Sequence, residues 1–280
     1  MQVDYISDLH LDFYIKHNGD YKKWEVKTHE FLKSLLPNKQ GEILTIAGDL
    51  SHYNIQSFWA VEFFSKVYEH VFVTFGNHDY YLVSNGQRKK YKNNSVNRVA
   101  ELYLMLSEID NVTVLQDFEV KEYKGYKIAG STSWYPLTEF KDYNFFKSHS
   151  NDSVLIAGLD IKYENYREHE KYKAMEDVDI LVTHVPPIMI DSHHFYGESS
   201  CYLNELKDIK ANYHVFGHCH EQAIYNKAGI KFSINALGYP QEWINHMNPM
   251  QYSRMERLTF LNAWNKIKGF IVRKSVDNRQ

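Results

Sequence analysis

The 280-residue chain predicts an α/β fold, on three observations. Two apolar, β-branched runs, Glu42 to Ala47 and Val71 to Phe75, each stop at a glycine, Gly48 and Gly76. Short runs of that make-up bounded by glycine read as buried strands. Between them Ile55, Trp59, Phe63 and Val67 recur at every fourth residue, the stripe of an amphipathic helix. Strand, helix and strand in that order imply parallel pairing with a right-handed crossover. In open sheets of this class ligands bind beyond the carboxyl ends of the strands, so chemistry is sought in the residues just after each strand.

Val3 to Ile6 alternates as a first strand and ends at Ser7-Asp8-Leu9-His10. Asp8 and His10 are two apart, so in an extended segment they point the same way. Residues 16–41 predict a polar loop leading into a short helix around His29 to Leu36, stopped by Pro37. The strand to Ala47 is closed by Gly48-Asp49, and Asn54 is placed to cap the helix that follows. The strand to Phe75 opens into Gly76-Asn77-His78-Asp79, where Gly76 permits a tight turn. There Asn77 offers an amide oxygen, His78 an imidazole and Asp79 a carboxylate able to orient that ring.

Residues 87–97, with Arg98, form a basic stretch (Arg88, Lys89, Lys90, Lys92) that reads as a solvated loop or as a contact for a phosphate-bearing substrate. Val99, Leu102, Tyr103 and Leu106 share one face of a helix from Ser95 to Ser107. Val112 to Leu115, Phe118 to Tyr123 and Lys127 to Gly130 extend the sheet. Residues 131–161 are rich in Trp, Phe and Tyr without periodicity; a long aromatic insertion of that kind predicts a cap or rim beside the site. A charged helix spans Tyr163 to Met175, and Asp179 to Thr183 is a buried strand ending at His184 and the rigid Val185-Pro186-Pro187. Residues 188–201, with His193, His194 and Tyr196, form a second rim loop. A helix from Tyr202 to Ile209, a strand from Tyr213 to Phe216, Gly217-His218-Cys219-His220, a late strand from Ile230 to Asn235 and a loop over 236–252 follow. Leu258 to Val272 adds one or two edge strands. Without linker, repeat or low-complexity stretch, residues 1–280 read as one domain with insertions at 131–161 and 188–201.

Composition excludes several classes. Hydrophobic residues make up 44% and charged residues 24%, enough for a packed core in a soluble chain. A net charge of −3 gives no global basic field for gripping nucleic acid. Cys201 and Cys219 are too few for a disulfide framework and point to a reducing compartment. Residues 1–15 lack a signal-peptide pattern, and no apolar run approaches the roughly 18 residues of a membrane span. The expectation is a cytoplasmic protein with no membrane partner. Fifteen histidines direct attention to metal.

Asp8/His10, Asp49, Asn77/His78, His184 and His218/His220 all fall at predicted strand ends. Leaving so many titratable groups buried and unpaired would cost several kcal/mol each, on the order of the usual desolvation penalty; a shared cation removes it. The ordered set D-x-H, G-D, G-N-H-D, H and G-H-x-H resembles the signature of the calcineurin-like metallophosphoesterase family and spans residues 8–220.

That resemblance implies a four-layer α-β-β-α sandwich, two mixed sheets flanked by helices. It implies two divalent ions, Mn first with Fe, Ni or Zn as alternatives. Asp8, His10, Asp49 and His220 would hold one ion; Asp49, Asn77, His184 and His218 would hold the other, with Asp49 bridging. The implied chemistry is attack on a phosphoester by a metal-bridging hydroxide, with His78 as general acid oriented by Asp79. Leu50-Ser51-His52 replaces the Asp-Arg-Gly of protein serine/threonine phosphatases and disfavours a phosphoprotein substrate. His52 faces either substrate or surface, and Cys219 points away from the ions. The resulting expectation is a phosphodiesterase on a nucleotide-type or other small phosphoester. A nuclease or phosphomonoesterase stands second, and a catalytically silent interaction module is the rival of another class.

Overall fold

The computed structural model describes residues 1–188, 200–244 and 256–259. In chain order the first elements are β1 (Gln2–Ile6), α1 (Leu11–Tyr14), α2 (Tyr21–Leu35), β2 (Ile43–Ala47), α3 (Asn54–Ser65) and β3 (His70–Thr74). Next come α4 (Asn85–Lys90), α5 (Ser95–Ser107), β4 (Val112–Val114), β5 (Lys121–Tyr123) and β6 (Tyr126–Ser131). Then follow α6 (Phe140–His149), α7 (Asp152–Leu155), α8 (Ile161–Ala174) and β7 (Val178–Thr183). The described part closes with β8 (Ala211–Phe216), β9 (Gln222–Lys227), β10 (Ile230–Asn235), α9 (Pro240–Ile244) and β11 (Glu256–Thr259).

One sheet has the order β11-β1-β2-β3-β4, the other β5-β6-β7-β8-β10-β9. β1 to β4 pair in parallel, and β11 joins the edge antiparallel. In the second sheet β6, β7, β8 and β10 are parallel while β5 and β9 are antiparallel edges. Both sheets are therefore mixed. Strands buried on both faces read as continuous apolar runs, and the packing shows why. Val3, Tyr5, Ile43 and Phe72 meet Ile128, Ile180, Val182 and Val215 between the sheets. Leu44, Ile46, Val71 and Val73 face the helical residues Leu32, Phe64, Leu102 and Leu106, and α8 covers the far sheet through Tyr172. Helices, sheet, sheet and helix make four layers.

Several expectations are corrected. The helix expected at 29–36 is α2, which runs Tyr21–Leu35, started by Asp20, whose carboxylate accepts from Lys23 N–H at 3.1 Å. Thr28 hides the period: it sits in the buried stripe with Trp24, Leu32 and Leu35 and satisfies its hydroxyl on Trp24 O. Asn54 does not cap α3; its amide is buried against Arg98 and the Tyr91 hydroxyl. Residues 87–97 are not an open loop throughout, since α4 runs to Lys90. Residues 131–161 are not irregular either, because α6 and α7 lie within them. No helix forms at 202–209, where Asn204 and Leu206 N–H groups instead donate to Pro186 O and Pro187 O. β9 is an unforeseen strand, joined to β10 through Ala228 and Gly229, both at positive φ. His193, His194, Tyr196 and nearly all of the 188–201 loop lie outside the described residues, as does most of the stretch after Ile244. No helix of the described residues is long and apolar enough to cross a membrane.

Glu168 on α8 is buried, its carboxylate accepting from the Ser131 hydroxyl and from Trp134 N–H. Burial lifts its carboxyl from 4.5 to about 7. A raised acid favours the folded state while protonated, so this contribution is present below pH 4.5 and is lost as pH rises to about 7. The loss is at most about 3 kcal/mol. Glu168→Gln should therefore gain stability relative to wild type between pH 5 and pH 8, read as melting temperatures at both values. A difference between the two proteins that does not change with pH would refute the shift.

Candidate metal centre

Strand ends of both sheets deliver the predicted residues to one edge. Asp8 and His10 follow β1, Asp49 follows β2, Asn77 and His78 follow β3, His184 follows β7, and His218 and His220 follow β8. Five of these adopt a left-handed backbone: Asp8 (φ 51°), His10 (φ 40°), Asp49 (φ 58°), His218 (φ 73°) and His220 (φ 49°). Each such residue costs on the order of 1–3 kcal/mol and persists only where its surroundings over-determine it. They support one another: Asp8 N–H donates to Gly48 O, His10 N–H to Asp49 O, and His218 N–H to the Asp8 carboxylate at 2.9 Å. Gly76 does not supply the positive φ of a tight turn; its φ is −105°. It is needed for close approach, because a Cβ there would stand 2.1 Å from Asp49 Oδ1.

Asp49 lies at the middle. Its Oδ2 is 3.6 Å from His10 Nε2 and 3.4 Å from His184 Nε2, while Oδ1 accepts from His78 N–H at 2.8 Å. On one side His10 Nε2 and His220 Nε2 are 2.9 Å apart, with Asp8 Oδ1 at 3.7 Å from His220. On the other, His184 Nε2 and His218 Nδ1 stand 2.9 and 3.2 Å from Asn77 Oδ1 and 3.3 Å from each other.

The donor set fits two cations. His184 Nδ1 meets Ala47 O, His218 Nε2 meets Cys201 O, and His220 Nδ1 meets the Glu242 carboxylate. Each of those oxygens only accepts, so each of those nitrogens carries the hydrogen. The opposite nitrogens are left to turn lone pairs on the carboxylates and the Asn77 oxygen, which is how metal-ligating imidazoles are normally anchored. Acceptors gathered this way repel unless a positive charge lies among them. Without a metal, protons take that part. Burial alone would lower the His184 imidazole, but the Asp49 carboxylate outweighs it and lifts the ring to about 9. His218, where burial dominates, falls to about 3. Burial opposes ionisation of Asp49, yet the charge on His184 holds its carboxyl well below the usual range.

Asp79 does not orient the His78 ring. Its carboxylate accepts backbone N–H groups of Gly76, Asp49 and Leu50, tying the β2 and β3 loops together. Burial and the neighbouring Asp49 charge raise it to about 6. The ring is held by His52, whose Nε2 lies 2.9 Å from His78 Nδ1 and whose Nδ1 lies 2.8 Å from Asp12 Oδ2. His52 thus faces neither open surface nor substrate. On the cleft side His78 Nε2 meets the Tyr239 hydroxyl at 3.2 Å.

Arg98 belongs in sequence to the basic stretch but has no exposed surface. Its guanidinium donates to Ser51 O, His78 O and Tyr81 O at 2.6–2.8 Å and to Asn54, locking both loops. Cys219 packs with Phe216, Phe232 and Ile234. Asp12, Asp152, Tyr239 and Glu242 are not among the site residues the sequence leads one to expect. Their types are common, and only tertiary contacts mark them.

Above the centre is a cleft of about 230 Å³ walled by Tyr81, Tyr202, Tyr239 and residues 149–152. Among the described residues lining it there is neither Lys nor Arg.

A family model described as calcineurin-like phosphoesterase matches residues 1–222. An uncharacterised protein of Acanthamoeba polyphaga mimivirus is 26% identical over 290 residues, 92% of this chain and 98% of that protein. A UPF0046 protein of Caenorhabditis elegans is 26% identical over 75% of this chain and 72% of its own. Among solved structures, a phosphopantetheinyl hydrolase from Mycobacterium tuberculosis superposes with a TM-score of 0.67 at 20% identity, covering 93% of this chain and 96% of that one.

Proposed function

The chain belongs to the calcineurin-like phosphoesterase family, metal-dependent hydrolases of phosphoric esters, and from that premise we propose that it is a dinuclear phosphodiesterase acting on a nucleotide-type or other small phosphodiester. The observation that carries this reading is the Asp49 carboxylate between two sets of imidazoles, 3.6 Å from His10 and 3.4 Å from His184. Asp8, His10, Asp49 and His220 would hold one divalent ion, and Asp49, Asn77, His184 and His218 the other. Manganese is the first choice for this mixed nitrogen and oxygen set, and Fe, Ni and Zn suit it too.

When bound, such a pair acidifies water for attack and offsets charge on the phosphoryl oxygens. The protein's own part is to hold the ester in line and to move a proton. Burial pushes His78 down to about 3, so the free ring is neutral and still carries one hydrogen. His52 Nε2 lies 2.9 Å from His78 Nδ1 with Asp12 behind it, and His78 Nε2 faces the cleft, so Nε2 is the atom placed to give a proton to the leaving oxygen and Nδ1 the atom through which the ring would be resupplied.

A diester presents one negative charge, which suits a cleft whose described lining offers neither Lys nor Arg. The rings of Tyr202 and Tyr239 give apolar faces for a base or a similar group. Residues 131–161 serve as the rim, since residues 149–152 form part of the wall. EDTA is expected to abolish hydrolysis of bis-p-nitrophenyl phosphate, and added Mn²⁺ to restore it. Activity untouched by chelation would overturn the metal-dependent reading, and no hydrolysis with or without Mn²⁺ would favour the silent interaction module. A panel of cyclic nucleotides, dinucleotides, mononucleotides, single-stranded DNA and a phosphopantetheinyl-bearing protein then separates diesterase, monoesterase and nuclease.

A further inference from the structure

We propose that Asp152 is the positioning residue that turns the Asn77 amide, and that through it residues 131–161 set the affinity of the second metal position. The inference rests on the dinuclear reading above. An asparagine amide can present either its oxygen or its NH₂ to a given point, and only the oxygen ligates a cation. Asn77 Nδ2 lies 2.8 Å from Asp152 Oδ1. A carboxylate accepts and does not donate, so this contact admits one orientation of the amide. In that orientation Oδ1 faces His184 Nε2 at 2.9 Å and His218 Nδ1 at 3.2 Å. The flipped amide would set oxygen against oxygen in a buried place.

Asp152 is itself pinned. The hydroxyls of Tyr81 and Tyr135 both donate to its carboxylate, one to each oxygen, and the residue is 3% exposed. The Asn77 contact with Asp152 also polarises the amide, since an N–H given to a carboxylate leaves more negative charge on the amide oxygen. Asp152 opens α7, directly after His149, Ser150 and Asn151 of the cleft wall. The backbone that a substrate touches at the rim is therefore the backbone that aims a metal ligand. This is the arrangement by which outer partners tune ligands in metal sites generally.

The test is Mn²⁺ binding to the metal-free full chain, followed by the EPR signal of free Mn²⁺ with no substrate present. Wild type is expected to take up two ions. Asp152→Asn should keep the first and weaken the second by about 10–100-fold. Tyr135→Phe, which removes a donor to Asp152 but leaves its bond to Asn77, should stay within about twofold of wild type, as expected where the first contact alone orients the ligand. The double exchange Asn77→Asp with Asp152→Asn reverses the hydrogen bond, because the new amide at 152 donates to the new carboxylate at 77. It should bind the second ion at least about tenfold more tightly than Asn77→Asp alone, and this comparison carries the test if Asp152→Asn does not fold. A second ion bound by Asp152→Asn as in wild type, or a double exchange no better than Asn77→Asp, overturns the role of Asp152 and leaves the hydrolase reading standing. A wild type that binds fewer than two ions overturns both.

Discussion

Asp49→Asn is expected to lower turnover by at least about 10³-fold, equivalent to about 4 kcal/mol of transition-state stabilisation, and to leave fewer than two ions per chain. Two doubly charged ions about 4 Å apart repel by about 4 kcal/mol even with the screening of bulk water, so the shared carboxylate is what makes their approach tolerable. The substitution keeps size and keeps an oxygen for His78 N–H, which Asp49 Oδ1 accepts at 2.8 Å. The other half of the group changes sign. An NH₂ would face His10 and His184, where Oδ2 now stands 3.6 and 3.4 Å away, and would compete for the lone pairs of those rings. The fold should survive, since the main-chain contacts of Asp49 through Asp79 and His10 do not involve its side chain. Metal content by elemental analysis beside steady-state rates decides the matter. Two ions and wild-type turnover in this variant would remove Asp49 as the bridge.

His78→Ala is expected to keep both ions and to lose about 10²–10⁴-fold in turnover on a diester with an alkyl leaving group. On bis-p-nitrophenyl phosphate, whose leaving group departs as a stable anion, the loss should be under about tenfold. His78 is placed for this task by other residues: its ring lies 4.2 Å from the Tyr81 ring and 5.0 Å from the His52 ring, and its main chain is held by Arg98. It touches the cleft and is 8% exposed, so removing it opens space without uncovering the core. The contrast between the two leaving groups separates acid catalysis from a general loss of order, which would depress both rates alike. Equal rates for variant and wild type on the alkyl ester would end the assignment.

Much of the edge where these residues converge was legible in the residue order, and the reasons are local. A strand buried on both faces must be apolar along its length, so the runs ending at Ala47 and Thr74 declare themselves and place Asp49 and Asn77 at their tips. Residues two apart after β1 and β8 declare the pairs Asp8/His10 and His218/His220 in the same way. Where the local pattern was diluted, it misled. Thr28 broke the stripe of α2, and the carbonyls of Pro186 and Pro187 took the N–H groups that a helix after Tyr202 would have used.

By itself, then, the amino-acid order determined which strands are buried, what chemistry waits at their ends, and the α/β class that follows from their succession. Tertiary structure alone decided who serves whom at the site. Asp79, adjacent to His78 in the chain, spends its oxygens on the backbone, while His52 and Asp12 hold the ring. Arg98, one more cation in a basic stretch, became a buried tie between loops. Asp152, an acid in an aromatic insertion, came to rest on the Asn77 amide from 75 residues away. Hydrogen bonds of this kind depend on distance in space and on which oxygen or nitrogen is left over once the backbone is satisfied, and neither is encoded in the local period of a strand or helix.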